Sequence, residues 1–298
     1  MIENKSVVSR IRVASIYSLV ALLGLISLFP LWNVVCISFS SSYAVNANRV
    51  TVLPVAFTTE AYKLILEDAQ FWRSFLISVI RVVLALALNM IMIVLMAFPL
   101  SRNKYQFKFR NIYMGLLLFA MLFSGGMIPG FIVIKKLGLL NTIWVLILPG
   151  AVPIFNVIMT KNFFLGIPKS LEEAAIIDGA NPLQILMNIL IPCSKPVLAT
   201  VALFSIVGNW NEFFSGLLYI TNMKYYPIMS YIQSLTVDVR ELVQNGTATP
   251  DQLATAIKVS GNNLNAAKIV VTVIPLLMIY PFLQKYLITG IVMGAVKE

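Results

Sequence analysis

The sequence predicts an all-α integral membrane protein with six transmembrane helices. The first reason is composition. Of 298 residues, 59% are hydrophobic and only 11% are charged, against roughly 25% charged in soluble domains. A chain this poor in charge cannot cover itself with polar groups, and its natural solvent is lipid. The second reason is length: apolar runs recur that are long enough to cross a bilayer, which takes roughly 20 residues each. The third is the clustering of lysine and arginine at the ends of those runs, which is how the membrane side of a loop is set.

The first run, Val13 to Phe39, lies in a stretch without a charge that extends to Asn48. Lys5, Arg10 and Arg12 precede it as in a signal peptide, but it is too long for a signal core and shows no small-residue cleavage site. It reads as a retained span behind a short cytoplasmic segment, residues 1–12. The second run, Phe71 to Leu100, is interrupted only by Arg73 and Arg81. The third, Asn111 to Ile134, and the fourth, Leu137 to Thr160, carry no charge. The Gly125-Gly126 pair and Pro129 allow a kink or a close approach in the third. The fifth, Pro196 to Thr221, contains Glu212, and the sixth, Ala267 to Ile288, leads to the C-terminus. Residues 13–298 thus read as one membrane domain.

Orientation follows from the basic residues. Lys5, Arg10 and Arg12 before the first run, and Arg102, Lys104, Lys108 and Arg110 between the second and third, fall on one side if the spans alternate. That side is the cytoplasm by the positive-inside rule, so both termini are cytoplasmic. Lys135 and Lys136 then lie outside, against the rule, and are outweighed by the denser clusters. Residues 40–70 form an outer loop with an amphipathic run at Tyr62–Leu66. Residues 223–266 form a second outer loop rich in Asn, Thr, Gly and Gln. Residues 162–195 form a cytoplasmic loop.

Several functions are excluded by inventory. There is no histidine, so the commonest general base and metal ligand is missing. Cys36 and Cys193 match no metal or disulfide spacing and read as buried thiols. The net charge of +10 is scattered at span ends, which does not favour a nucleic-acid surface. No G-x-x-x-x-G-K-[ST] stretch occurs, so the chain has no phosphate-cradling loop of that kind. No catalytic residue, metal site or cofactor of its own is expected.

The cytoplasmic loop is the most informative stretch. From Gly166 it reads GIPKSLEEAAIIDGANPLQILMNILIPCSKP. Ser170 and Glu173 have capping-box spacing, Gly179 suits a helix C-terminus, and Asn181-Pro182 reads as an N-cap and first helical position. Pro192 and Pro196 end the second helix and start the next span. Two short helices joined by a sharp turn result. An ordinary interfacial amphipathic segment accounts for the helices but not for the ordered set Glu173, Ala174, Ala175, Asp178, Gly179, Ala180 and, further on, Pro192.

That set resembles the E-A-A-x-x-D-G-A coupling motif of carbohydrate-type permease subunits of ATP-binding-cassette importers. Leu186, Asn188 and Ile191 depart from many sugar permeases, and Leu186 occurs in a polysaccharide-type branch. Phe123–Pro129, Leu137–Thr142, Trp210-Asn211 with Phe213, and Tyr280–Tyr286 are also similar to that branch. The resemblance implies a type I importer permease fold and uptake of an oligosaccharide or glycan fragment. It implies as partners a second homologous permease, two cytoplasmic ATPase subunits and an extracellular solute-binding protein. ATP and magnesium would reside in the ATPases. Glu173, Ala174, Ala175, Asp178, Gly179, Ala180 and Pro192 would form the joint to them, with the two alanines leaving room for close approach.

Glu212 is the only acid within a predicted span. With Asn209, Trp210 and Asn211 it forms a candidate substrate-path cluster, since ionisable groups at membrane depth ordinarily face protein or water. An interfacial position or a partner-chain pairing is the other reading. Arg81 either pairs across helices, Glu212 being one possible partner, or lies at a solvated interface with Arg73. Three rival functions stand beside the importer. An ion-coupled secondary transporter would show more spans, internal repeats and several intramembrane acids. A membrane enzyme would need a richer catalytic inventory. A non-catalytic structural subunit would not need the coupling loop.

Overall fold

In the computed structural model the backbone is described for residues 7–235 and 262–295, and side chains for residues 11–235 and 262–281. Lys5, residues 236–261 of the predicted second outer loop and the last three residues lie outside these ranges. Two compact units emerge, one from Met1–Ala69 with Leu235–Val273, the other from Gln70–Ser234 with Ile274–Glu298.

In the first unit the uncharged N-terminal run forms α1 (Val7–Ser38). It is apolar on every side and almost wholly exposed between Ile11 and Trp32, as a helix with no packed face would be. Its end is held by a folded loop. Trp32 Nε1 donates to the Val52 carbonyl at 2.8 Å and Asn33 Nδ2 to that of Thr51 at 2.6 Å. Ser41 caps the short α2 (Ser42–Asn46). The amphipathic run becomes α3 (Glu60–Glu67), which buries Ala61 and Ile65, one turn apart. Asp68 after it accepts from Lys268 Nζ at 2.8 Å, and that lysine is 1% exposed. Lys268 lies on the last helix, numbered α13 here (Asn262–Ala295).

The second unit is built on α4 (Ala69–Ser101). Its buried residues Phe71, Ser74, Ser78, Arg81, Ala85, Asn89, Ile93, Ala97 and Leu100 recur every three or four positions, so one stripe of the helix faces the protein interior. Three predicted spans are bent rather than straight. The third divides into α5 (Arg110–Leu122) and α6 (Met127–Lys136), set at 114°. The kink expected at Gly125-Gly126 is therefore a reversal, since two consecutive glycines cannot sustain the helix. The fourth does not run from Leu137. It starts as 3₁₀ turns, Ile143–Leu146 and Leu148–Gly150, and bends 45° into α7 (Ile154–Leu165). Pro149 and Pro153 remove the backbone donors a continuous α-helix needs there. The fifth is α11 (Lys195–Asn211), which stops before Glu212 and is followed by α12 (Phe214–Tyr219). Among the described residues three helices are long and apolar enough to cross a membrane, and up to six spans result if each bent pair counts as one.

The loop predicted to be cytoplasmic folds as α8 (Lys169–Ile177), α9 (Pro182–Ile185), a π-helical turn over Leu186–Leu190 and α10 (Ile191–Cys193), which meets α11 at 81°. The expected capping box at Ser170 does not form. The helix starts two residues early, with Pro168 at the N-cap and no side-chain cap bond. The second helix does not end at Pro192 but passes through it, because the wider π turn gives the proline ring room against the carbonyl four residues back. Cys193 is exposed rather than buried. The core of this unit unites Ile93, Ala97 and Leu100 of α4, Val157 and Phe164 of α7, Ile185, Leu186 and Leu190 of the loop helices, and Val197 and Val201 of α11.

Candidate functional site

Among the described residues of the second unit, polar chemistry meets open space at a cavity and at a loop element. The cavity, of about 290 Å³, lies between α4, the 3₁₀ turns, α7 and α11. The stripe on α4 brings Arg81 and Asn89 to it, two turns apart. Ser205, Gly208 and Asn209 of α11 follow the same helical spacing, with Glu212 just past the helix end. Asn156 of α7 and Ser215 of α12 complete the polar lining.

Arg81 is 2% exposed and reaches Glu212 twice. Its Nη2 donates to the carboxylate at 2.6 Å and its Nη1 to the Glu212 backbone carbonyl at 2.9 Å. The Glu212 side chain is 34% exposed. It also accepts from the Ser215 backbone amide at 2.8 Å and from the Ser215 hydroxyl. This explains the break in the fifth span. Glu212 sits in extended backbone past the end of α11, and its carboxylate satisfies a free amide at the start of α12, where negative charge is favoured. Of the readings of Arg81, the structure thus has the pair with Glu212.

Asn89 closes the inner wall. Its amide lies 2.9 Å from Ser205 Oγ and 3.2 Å from the Gly150 carbonyl. With Nδ2 toward the carbonyls it satisfies a group that the 3₁₀ segment leaves without a helical partner. Asn209 donates to the Ser205 carbonyl at 2.8 Å.

The four-residue cluster expected from the sequence is only half assembled. Asn209 and Glu212 line the cavity. Trp210 is buried and meets Phe75 edge-on at 5.6 Å, and Asn211 is exposed on another face. Adjacent residues on a helix point about 100° apart, so a run of four cannot share one wall. Asn89, Asn156, Ser205 and Ser215 were missed. Polar residues spaced three or four apart inside apolar runs were the signal for Asn89 and Ser205.

The second place is the α8–α9 element. Gly179 has φ +81°, and the Gly179 and Ala180 amides donate to the Ile176 and Ala175 carbonyls at 3.0 and 2.9 Å. That is the two-bond left-handed closure of a helix end. Asn181 and Gln184 cap α9 reciprocally, side chain to backbone, at 2.9 and 2.8 Å. Glu173 and Ala174 are exposed, and so are Leu171, Ile176, Leu183 and, at 86%, Ile177. Ala175 and Ala180 instead pack on the unit's own core, so only Ala174 of the alanine pair is turned outward. Asp178 caps the end of α8 and lines a groove of about 300 Å³ with Gly179, Gln184 and Asn188. Pro192 is exposed beyond the π turn. Glu172, which the sequence did not single out, makes a two-pronged ion pair with Arg102 at the end of α4. No group of three or more metal-ligating side chains occurs among the described residues.

Comparison with known proteins agrees with this architecture. The chain is 38% identical to Protein LplC of Bacillus subtilis (strain 168) over 92% of its own length and 90% of that protein. It is 38% identical to the polygalacturonan/rhamnogalacturonan transport system permease protein YtcP of the same organism, over 95% and 96%. A chain in the crystal structure of a bacterial ABC transporter involved in the import of the acidic polysaccharide alginate superimposes with a TM-score of 0.82, at 32% identity, covering 95% of this chain and 98% of that one. Residues 74–293 match the family of binding-protein-dependent transport system inner membrane components. The chain belongs to that family, as a multi-pass permease of the cell membrane and a subunit of an ATP-binding-cassette importer.

Proposed function

We propose that this permease, with a second homologous one, forms the path by which an oligosaccharide or glycan fragment enters the cell. The observation that carries the reading is the cavity, whose polar lining of amides, hydroxyls and one carboxylate suits a ligand made of hydroxyl groups. Asn156, Asn209 and Glu212 are the groups assigned to that path. Relatives named for polygalacturonan/rhamnogalacturonan transport and for alginate import support a glycan substrate of the acidic kind.

Drive comes from two partner ATPases that bind ATP and magnesium, and delivery from an extracellular solute-binding protein. The exposed apolar face of Ile176 and Ile177 beside Glu173 is the docking surface for an ATPase, with Ala174 allowing close approach. Asp178, Gly179 and Ala180 fix the turn behind it, and Pro192 sets the exit toward α11. Residues 162–195 are the cytoplasmic coupling loop of a single membrane domain, 13–298, with residues 40–70 and 223–266 outside.

The test is uptake by the complete importer in proteoliposomes, with oligogalacturonates of two to six units as the probe and maltooligosaccharides as the control. Saccharide uptake that needs ATP, and that Asn156→Leu and Asn209→Leu reduce while the complex still assembles, is the expected result. Unchanged uptake in both variants removes the cavity from the path, and no uptake of any saccharide overturns the substrate class.

A further inference from the structure

Arg102 follows α4 directly and reaches across to α8. Its Nη1 and Nη2 donate to the two oxygens of Glu172, the second at 3.0 Å. Its Nε and Nη2 also lie 3.3 and 3.1 Å from Ser101 Oγ. Its guanidinium stacks over Phe98 at 4.8 Å, and Ser101 Oγ donates to the Phe98 carbonyl at 2.7 Å. Both partners of the ion pair are largely shielded, with side chains 14% and 15% exposed. A forked, shielded pair of this kind holds direction as well as distance. An exposed surface pair would do neither.

The position matters more than the strength. Pro99 lies inside the last turn of α4, where the missing donor weakens the helix. The contact of Arg102 back onto Phe98 spans that proline and stiffens the turn. Beyond it, α4 continues as one helix through Asn89 to Arg81, its two cavity residues, roughly 20 and 30 Å away at 1.5 Å per residue. Glu172 stands beside Glu173 in sequence but faces inward, while Glu173 faces out.

From this geometry we infer that the Arg102–Glu172 fork is a strut that makes α8 and α4 move as one body. A push on the outer face of α8 then reaches the cavity wall through α4. Arg102 and Glu172 are positioning residues, distinct from the groups that meet the ATPase. The inference rests on the coupling role assigned above to α8, and its test separates the two.

Spin labels are placed at Ser170→Cys on α8 and Leu95→Cys on α4, both exposed, in the complete importer with Cys36 and Cys193 replaced by serine. The label distance is measured without nucleotide and with magnesium-ATP trapped by vanadate. With the strut intact the distance is the same in both states. In Arg102→Gln and in Glu172→Gln it differs between them. ATPase subunits still copurify with both variants, and saccharide moved per ATP hydrolysed falls roughly five- to 150-fold, the ordinary range of a coupling free energy. The reversed pair, Arg102→Glu with Glu172→Arg, regains part of the loss. A variant whose label distance stays constant, or whose uptake per ATP equals wild type, overturns the strut while leaving α8 docking intact. Loss of the ATPases from the single variants also overturns it, since the pair would then serve docking alone.

Discussion

Arg81 and Glu212 are worth most to each other. A guanidinium 2% exposed cannot be left without a counter-charge, because desolvating an unpaired ion costs several kcal/mol. Glu212, a third exposed to the cavity, tolerates separation better. Arg81→Met is therefore expected to destabilise the purified complex by about 1–2 kcal/mol, and Glu212→Leu by about 3 kcal/mol or more. The double variant should recover much of the loss, because both charges leave together. Thermal unfolding of the four proteins in detergent measures this, and strictly additive losses would dissolve the pair. Asn89 makes a similar case without charge. Asn89→Leu removes the group that meets the Gly150 carbonyl, so about 1–3 kcal/mol should be lost. Uptake should fall further than stability, through distortion of the cavity wall. Wild-type uptake in that variant would make Asn89 a bystander.

At the scale of elements, two glycines show different physics. At Gly179 a Cβ would meet nothing within 4 Å, so only the left-handed backbone resists substitution. Gly179→Ala is expected to cost about 1–2 kcal/mol, read as increased protease cleavage between α8 and α9. Gly179→Pro goes further, since it fixes φ on the wrong side and deletes the donor to Ile176, and should abolish uptake while membrane insertion persists. At Gly216 of α12 the limit is space. A Cβ there would stand 2.1 Å from Ser230 Oγ and 2.8 Å from its Cβ. The Ser230 hydroxyl is itself held, donating to the Phe213 carbonyl at 2.7 Å. Gly216→Ala should lower stability by about 1–3 kcal/mol, whereas Gly115→Ala on α5, with open space around it, should be neutral or slightly stabilising. Equal effects at both positions would refute the packing account.

For the whole molecule, topology is the testable quantity. A membrane-impermeant maleimide should label Arg49→Cys in intact cells, with the native cysteines replaced by serine. It should label Lys104→Cys and Ile177→Cys only after permeabilisation, because the basic clusters at the start of α1 and between α4 and α5 hold those ends in the cytoplasm. Labelling of Lys104→Cys from outside would invert the topology. The chain purified without its ATPases should turn over no ATP above background, and turnover in a preparation free of them would show an engine that the sequence lacks.

Legible from the sequence were the solvent, the rough number of crossings and the pair of short helices that turn at Gly179. These rest on local properties, namely the length of apolar runs, the position of charges and the short-range chemistry of Gly179 and Asn181-Pro182. The break at Glu212, the reversal after α5 and the 3₁₀ entry to α7 escaped a hydropathy reading, because proline, glycine and side-chain capping act within runs that stay apolar throughout. Glu212 and Asn209 were legible as polar residues in a span, but their separation from Trp210 and Asn211 appears only once α11 has a definite rotation. Arg81 meeting Glu212, and Arg102 choosing Glu172 over its neighbour Glu173, were decided by tertiary structure alone. Those partners lie 131 and 70 residues apart, and only the packing of α4 against the elements that follow it selects which acid each arginine can reach.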